Sequence, residues 1–451
     1  LLRGQTKIFT ISPRLQGLGL AFLSLCLNLV WAFCLRPLVG PDEPAHLIAV
    51  REIRMLGRLP EIHFRFDQDP RGVPIIDYRD TEVASLAQSW GLLPGAYDVP
   101  YESMQPPLYY LISALASVPI GSDPLVMMYV GRVVSSLFGA AAIYFIWAAT
   151  RVIARGAPRL AILSAGSIAL LPQFAMHSAV LSNDSAVIAM GAAASYVWLR
   201  GLHEPGYDRH MLKAGALLGA GILAKWSMLA LLPALALVLL FRAFADRRQL
   251  IRRLVTLMVG AIAGCLLVCG WWLARNVIVY GEPTGSAAAF RWVRSFFGRH
   301  DFSTSAGWAE FISATITSMT GHFGQNVFLP MPFYIIARAV VVLLALLSCA
   351  AAAYLLIKQR PLTVKARRTS LVLLAMSAGV LAGYIQYNLS VAYQPQARYL
   401  FLMLLPLSLV LLIGLYNVSL RFRYAVLLQS LPIIWLAVLH FAGLLRILAP
   451  T

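Results

Sequence analysis

The 451 residues are 59% hydrophobic and only 12% charged, about half the charged fraction of a typical soluble domain. Apolar runs recur from end to end with no polar stretch long enough to fold separately, which excludes a string of soluble domains and predicts one membrane domain. The 37 Lys+Arg outweigh 19 Asp+Glu to give a net charge of +18. In a soluble chain that excess would raise nucleic acid as a partner; here it lies in short loops between apolar runs, as the positive-inside rule expects, and membrane lipids are the expected surroundings.

Taken in chain order, the pattern predicts an all-α polytopic membrane protein with about eleven spans, near 16–38, 126–150, 159–176, 180–199, 211–224, 227–243, 253–275, 333–357, 370–389, 398–418 and 424–446. The first run has no small-residue cleavage site behind it and reads as a retained helix. The apolar segment 106–120, PPLYYLISALASVPI, would invert every later loop if it crossed, so it reads as a helix in the outer interface. With that assignment the cytoplasmic side holds Arg3, Lys7, Arg14 and the loop clusters around Arg151, Arg200, Arg242–Arg253, Lys358–Arg368 and Arg421/Arg423, against only Glu204, Asp208 and Asp246. The outer side is left neutral.

Two outer segments, 41–125 and 276–332, are longer than connections need to be and are expected to carry function. No internal repeat is evident, which counts against transporter folds built from duplicated halves. The five Cys all lie in apolar segments and read as packing residues.

The first span ends in LRPLVGPDEPAH, placing Asp42 and Glu43 between Pro41 and Pro44, with His46 at helical spacing from Asp42. Flanking prolines restrict where the carboxylates point; a plain helix N-terminus carrying acids is the competing reading. Asp184, in HSAVLSNDSAV, is the sole acid between Asp123 and Glu204, an expensive residue to retain beside a span unless it is used or caps the helix. Arg132, Lys225, Arg275 and Arg398 interrupt or bound apolar runs on the outer side. Four cations there point to an anionic ligand, for which the planar fork of Arg suits phosphate.

PDEPAH after the first span, QPPLYYL closing the first outer loop, SND, WWLARN followed by YGEP, and a late QARYL together resemble the GT-C membrane glycosyltransferases, and among them bacterial homologues of protein O-mannosyltransferases and aminoarabinose transferases. The resemblance covers roughly residues 15–420. Met104 departs from it, standing where many relatives carry His. The resemblance implies an inverting glycosyltransferase in a bacterial inner membrane, moving a sugar from a polyprenyl-phosphate donor to a saccharide, lipid or protein acceptor on the extracytoplasmic face. It implies catalytic roles for Asp42, Glu43 and Asp184, with Asp42 the base. Donor phosphate would be held by Arg275, Arg398, Lys225 and Arg132. A divalent metal ion, the one cofactor expected, would fall to His322 or His46, and Gln105 and Tyr109 of the QPPLYYL segment would line the site. Two other readings stay open: another enzyme of lipid-linked saccharides, such as a polymerase or ligase, and a lipid or saccharide transporter, whose ionisable groups would be expected near the bilayer midplane.

The charge partition predicts that a cysteine placed near position 247 in a Cys-free variant labels only from the cytoplasmic side. Labelling there from outside would overturn the topology.

Overall fold

The computed structural model describes residues 12–67, 72–76, 79–92, 101–204, 206–296, 300–323, 327–357, 362–420, 422 and 424–449. Arg3, Lys7, Lys358, Arg360, Arg421 and Arg423 of the basic loops lie outside the described residues. Helix α1 (Pro13–Cys34), capped by Ser12, is followed at once by α2 (Glu43–Leu56), a two-stranded antiparallel hairpin β1 (Ile62–Arg65) and β2 (Val73–Ile76), and α3 (Thr81–Ser89), capped by Asp80. A 3-10 turn, Tyr101–Met104, leads into α4 (Leu108–Ser117). Ten residues rise about 15 Å, half of a hydrocarbon core, so α4 is too short to cross, and it packs instead against α2 and α5.

The bundle continues with α5 (Pro124–Ile153), α6 (Pro158–Ala169), α7 (Pro172–His177) and α8 (Asn183–His203). The expected span at 159–176 is thus two pieces. Pro172 cannot donate into a continuing helix but suits the first turn of a new one. Then come α9 (Met211–Ala224), a 3-10 turn Trp226–Leu231, α10 (Leu232–Ala243) and the long α11 (Leu250–Tyr280). Lys225, between α9 and that turn, is fully extended and breaks the helix there. The segment 276–332 holds α12 (Ala287–Phe296), α13 (Ser305–Gly321) and a small hairpin of β3 (His322–Phe323) and β4 (Val327–Phe328). Helices α14 (Met331–Ile357) and α15 (Val364–Ser390), a 3-10 stretch Ala397–Met403, α16 (Leu404–Ser419) and α17 (Ala425–Leu448) complete the chain. Each expected span falls on one or more helical segments, but among the described residues nine segments, not eleven, are long and apolar enough to cross a membrane. The split pair α6/α7 and the fourteen-residue α9 account for the difference.

Two packing features hold in place the helix ends that carry buried charge. Helices α9 and α11 meet backbone to backbone: a Cβ on Gly215 would lie 1.8 Å from the Ala261 carbonyl oxygen, and one on Gly264 would lie 2.0 Å from that of Leu212. Small residues permit this approach in the absence of a hydrophobic drive between lipid-bathed helices, and it seats α9, at whose far end Lys225 stands, on α11. The second feature is an ion pair without exposure. Arg132 of α5 donates from Nε and Nη2 to the two Glu43 oxygens, both at 2.8 Å, and from its remaining N–H groups to the carbonyls of Ala32, Leu35 and Arg36. Glu43 also accepts from the backbone N–H of Gly40 and Leu181. Burial alone would raise the Glu43 carboxyl; the Arg132 charge and these hydrogen bonds outweigh it and hold it below its ordinary range. One pair thereby ties the end of α1, the start of α2, α5 and the approach to α8.

Replacing Arg132 with Met leaves Glu43 buried and uncompensated, a change that costs about 3–5 kcal/mol. Denaturant unfolding in detergent should show that loss, and Arg132→Met with Glu43→Leu should recover part of it. A single variant as stable as the wild type would contradict this role.

Candidate active site

Asp42 is the N-cap of α2, yet its side chain makes no capping hydrogen bond. Its backbone is left-handed, with φ 58° and ψ 11°, a conformation Asp tolerates better than most residues. The carboxylate is thereby turned off the helix and into a polar chamber. There Oδ1 accepts from the Tyr101 hydroxyl at 3.0 Å and Oδ2 from Arg398 Nη2 at 2.9 Å. Asp184 is released in a different way. Ser182 caps α8, accepting the Asp184 N–H, so the Asp184 carboxylate is free to take Lys225 Nζ at 2.5 Å and to face Arg398 Nη1 at 3.5 Å. Arg398 therefore sits between two aspartates, with Lys225 on the far side of one of them. Its side chain is 5% exposed, that of Asp184 7% and that of Asp42 33%, so Asp42 is the acid that an incoming molecule can reach.

These four charges come from the start of α2, the start of α8, the end of α9 and the Ala397–Met403 stretch. At the other end of α8, about 31 Å away by helical rise, a second set pairs Asp208 with Arg242 and Arg253, and Glu204 with Arg200. The acids and cations of the chamber are thus confined to one end of the bundle.

Three further groups line the chamber. Glu102, from the 3-10 turn before α4, has a buried Oε2 without a hydrogen-bond partner among the described residues. Burial and the neighbouring Asp42 push its carboxyl up to about 7. His46 is buried and bonds the Tyr110 hydroxyl through Nδ1 at 2.8 Å; burial pulls it down to about 4, so its ring is neutral. Tyr101, raised by burial and by Asp42, stays a phenol and a donor. Burial would raise Asp42 itself, but the Arg398 charge, with the hydrogen bonds from Arg398 and Tyr101, reverses that and holds it ionised below the usual carboxylate range. One ligand atom from each of Asp42, His46 and Glu102 lies within 4.8 Å of the others. Two carboxylate oxygens and a neutral imidazole make a donor set suited to a divalent cation.

The remaining expected residues fall elsewhere. Glu43 and Arg132 are spent on each other. Arg275, in α11, donates to the Pro60 carbonyl and to Glu61, and lies over the rings of Trp272 and Tyr280; its ion pair is with Glu61, away from the two aspartates. Tyr109 is sealed in, with its hydroxyl bonded to Gly131 O and Ser135 Oγ and accepting from the Ser182 N–H. Gln105 is half-buried with Oε1 unpartnered among the described residues. His322 stacks on Phe328 at 4.3 Å, and its carbonyl is held by Gln173. It is not part of the Asp42, His46 and Glu102 group. Met104, the departure from the family pattern, packs with Ile62 and Ala289.

A family model described as dolichyl-phosphate-mannose-protein mannosyltransferase matches residues 105–272. Among solved structures, ArnT from Cupriavidus metallidurans bound to undecaprenyl phosphate superposes with a TM-score of 0.54 at 15% identity, covering 95% of this chain and 75% of that one. The chain has the GT-C glycosyltransferase fold. The oligosaccharyltransferase of Archaeoglobus fulgidus, in complex with Zn and sulfate, gives a TM-score of 0.53 at 13% identity; this GT-C-fold chain is covered over 94% of its length and spans 53% of that protein's. No curated protein sequence matches it significantly. In this GT-C-fold protein the chamber residues that sequence reasoning missed are Tyr101 and Glu102. They stand four and three residues before QPPLYYL, a proximity that was the available signal, but they are part of a loop holding twelve of the nineteen acids, where one more carboxylate does not stand out.

Proposed function

We propose that the chain is an inverting glycosyltransferase that moves a sugar from a polyprenyl-phosphate donor to an acceptor on the extracytoplasmic face of the membrane. The observation that carries this reading is the alternation Asp42, Arg398, Asp184, Lys225 at one end of the bundle. It joins an accessible, ionised carboxylate to cations that can receive a phosphate. The acceptor hydroxyl donates its hydrogen bond to Asp42, which takes the proton as the hydroxyl oxygen bonds to the anomeric carbon from the face opposite the departing phosphate. The bond from anomeric carbon to phosphate oxygen breaks, and its electron pair leaves with the lipid phosphate. That phosphate needs charge stabilisation more than a proton, and Arg398 and Lys225 supply it in a setting of low polarity. Asp184 positions both cations. Tyr101 keeps Asp42 aimed.

Compared with a transporter, which would hold ionisable groups near the midplane, this chain places the four charges of the chamber at one end of the bundle. A polymerase or ligase of lipid-linked saccharides would share the donor chemistry and differ only in acceptor. The ArnT structure containing undecaprenyl phosphate and the oligosaccharyltransferase containing Zn support a lipid-phosphate donor and a metal in this fold. In this chain the cation would be held by Asp42, His46 and Glu102, where it would offset the crowding of two carboxylates and polarise phosphate or hydroxyl oxygen.

Incubating purified protein with a panel of labelled polyprenyl-phosphate sugars should release carrier phosphate from at least one. Asp42→Asn should lower that turnover by at least about a hundredfold with folding intact, and Arg398→Lys should lower it despite the retained charge, because the fork is lost. Chelator treatment should reduce turnover and added divalent metal restore it if the trio is occupied. Wild-type turnover in Asp42→Asn would remove the proposed base, and no release from any donor would remove the reading.

A further inference from the structure

His177, the last residue of α7, takes no part in the chemistry above, yet its setting is unusual. It is 5% exposed, and its Nδ1 is buried without a hydrogen-bond partner among the described residues. A ring nitrogen in that position costs stability unless something bonds it. Its ring stands edge-on to Phe401, with centroids 5.6 Å apart. Phe401 lies three residues after Arg398 within the 3-10 stretch Ala397–Met403, and side chains three apart in a 3-10 helix eclipse. His177 is therefore one turn from Arg398 along a shared face. Arg398 Nε is likewise buried without a partner, although Nη2 bonds Asp42. Lys225 bonds Asp184 through one of three available N–H groups. Around His177 the strongest electrostatic neighbours are Arg398 and Asp184, followed by His322 and Lys225.

Two spare buried nitrogens thus stand one turn apart on that face, beside a lysine with spare donors. Resting on the reading of a polyprenyl-phosphate donor, we propose that His177 is a phosphate-positioning residue: its neutral imidazole, as the Nδ1–H tautomer, donates to a non-bridging oxygen of the lipid phosphate while Arg398 Nε and Lys225 hold the others. A neutral donor suits a place already flanked by two cations, since it adds a hydrogen bond without adding repulsion. Packing against Phe401 fixes the ring plane, and the attachment of α7 to the hairpin through Gln173 and the His322 carbonyl holds its position.

The test is binding by the complete chain in detergent of polyprenyl phosphate and, separately, of the uncharged polyprenol of the same length. His177→Leu removes the donor and keeps an apolar side chain; His177→Asn keeps an N–H close to the Nδ1 position. His177→Leu should bind polyprenyl phosphate about tenfold or more weakly, the size expected for a hydrogen bond to a charged group, with polyprenol binding unchanged, and His177→Asn should stay within about threefold of wild type, since it replaces one donor by another. Unchanged phosphate affinity in His177→Leu overturns the proposal, and so does an equal loss for both lipids, which would mean a packing role. If the wild type itself binds polyprenol as well as polyprenyl phosphate, the donor reading fails, and this proposal with it.

Discussion

The site depends on a pair of charges buried against each other. Glu43 and Arg132 lie wholly inside the protein, and each hydrogen-bonding group that Arg132 offers is matched by a carboxylate or carbonyl oxygen. Charges removed from water this completely are tolerated only when every donor and acceptor is met. Meeting them draws together the last turn of α1, the residues just after it, α5 and the segment entering α8. Asp42 precedes Glu43 directly, so its left-handed backbone and the direction of its carboxylate follow from where the pair is fixed. Asp184 lies three residues beyond Leu181, whose N–H Glu43 accepts. Both aspartates are thus set in place by one anchor.

Arg398 and Lys225 arrive by different routes. Lys225 is held where α9 ends, and α9 is seated on α11 through glycines that let the backbones touch. Arg398 stands in a 3-10 stretch against α15 and α8. The four charges balance as two pairs, which lets them share a nearly buried chamber. Glu102 is the unbalanced member, since burial and the neighbouring Asp42 push its carboxyl up to about 7. The chamber leaves Glu102 Oε2 and Arg398 Nε buried without hydrogen-bond partners among the described residues.

The helices, the membrane setting and the gathering of acids at one end were legible in hydropathy and loop charge, since those signals arise from burial of whole segments. The site was legible in part. Asp42, Asp184, Lys225 and Arg398 stand out as charges in apolar sequence, but so do Glu43 and Arg132, and a buried structural pair leaves the same mark as a binding residue because each must be retained at a cost. Only the three-dimensional partners separate them. Arg275 shows the same limit from another side, since a cation bounding an apolar run can be paired with a nearby acid of its own, here Glu61. Glu102 was masked by the other acids of its loop, and His177 by apolar surroundings in which a lone histidine reads as packing. Helices α7 and α9 fall short of a span's length because the backbone breaks at Pro172 and at Lys225.

A structure of the complete chain in a lipid nanodisc with polyprenyl phosphate bound tests the central claim most directly. Phosphate oxygens should lie within hydrogen-bond reach of Arg398 and Lys225, with Asp42 open to the space beside them. A phosphate seated instead against Arg275 and Glu61, or among Arg242 and Arg253 at the opposite end of the bundle, would contradict the proposed site.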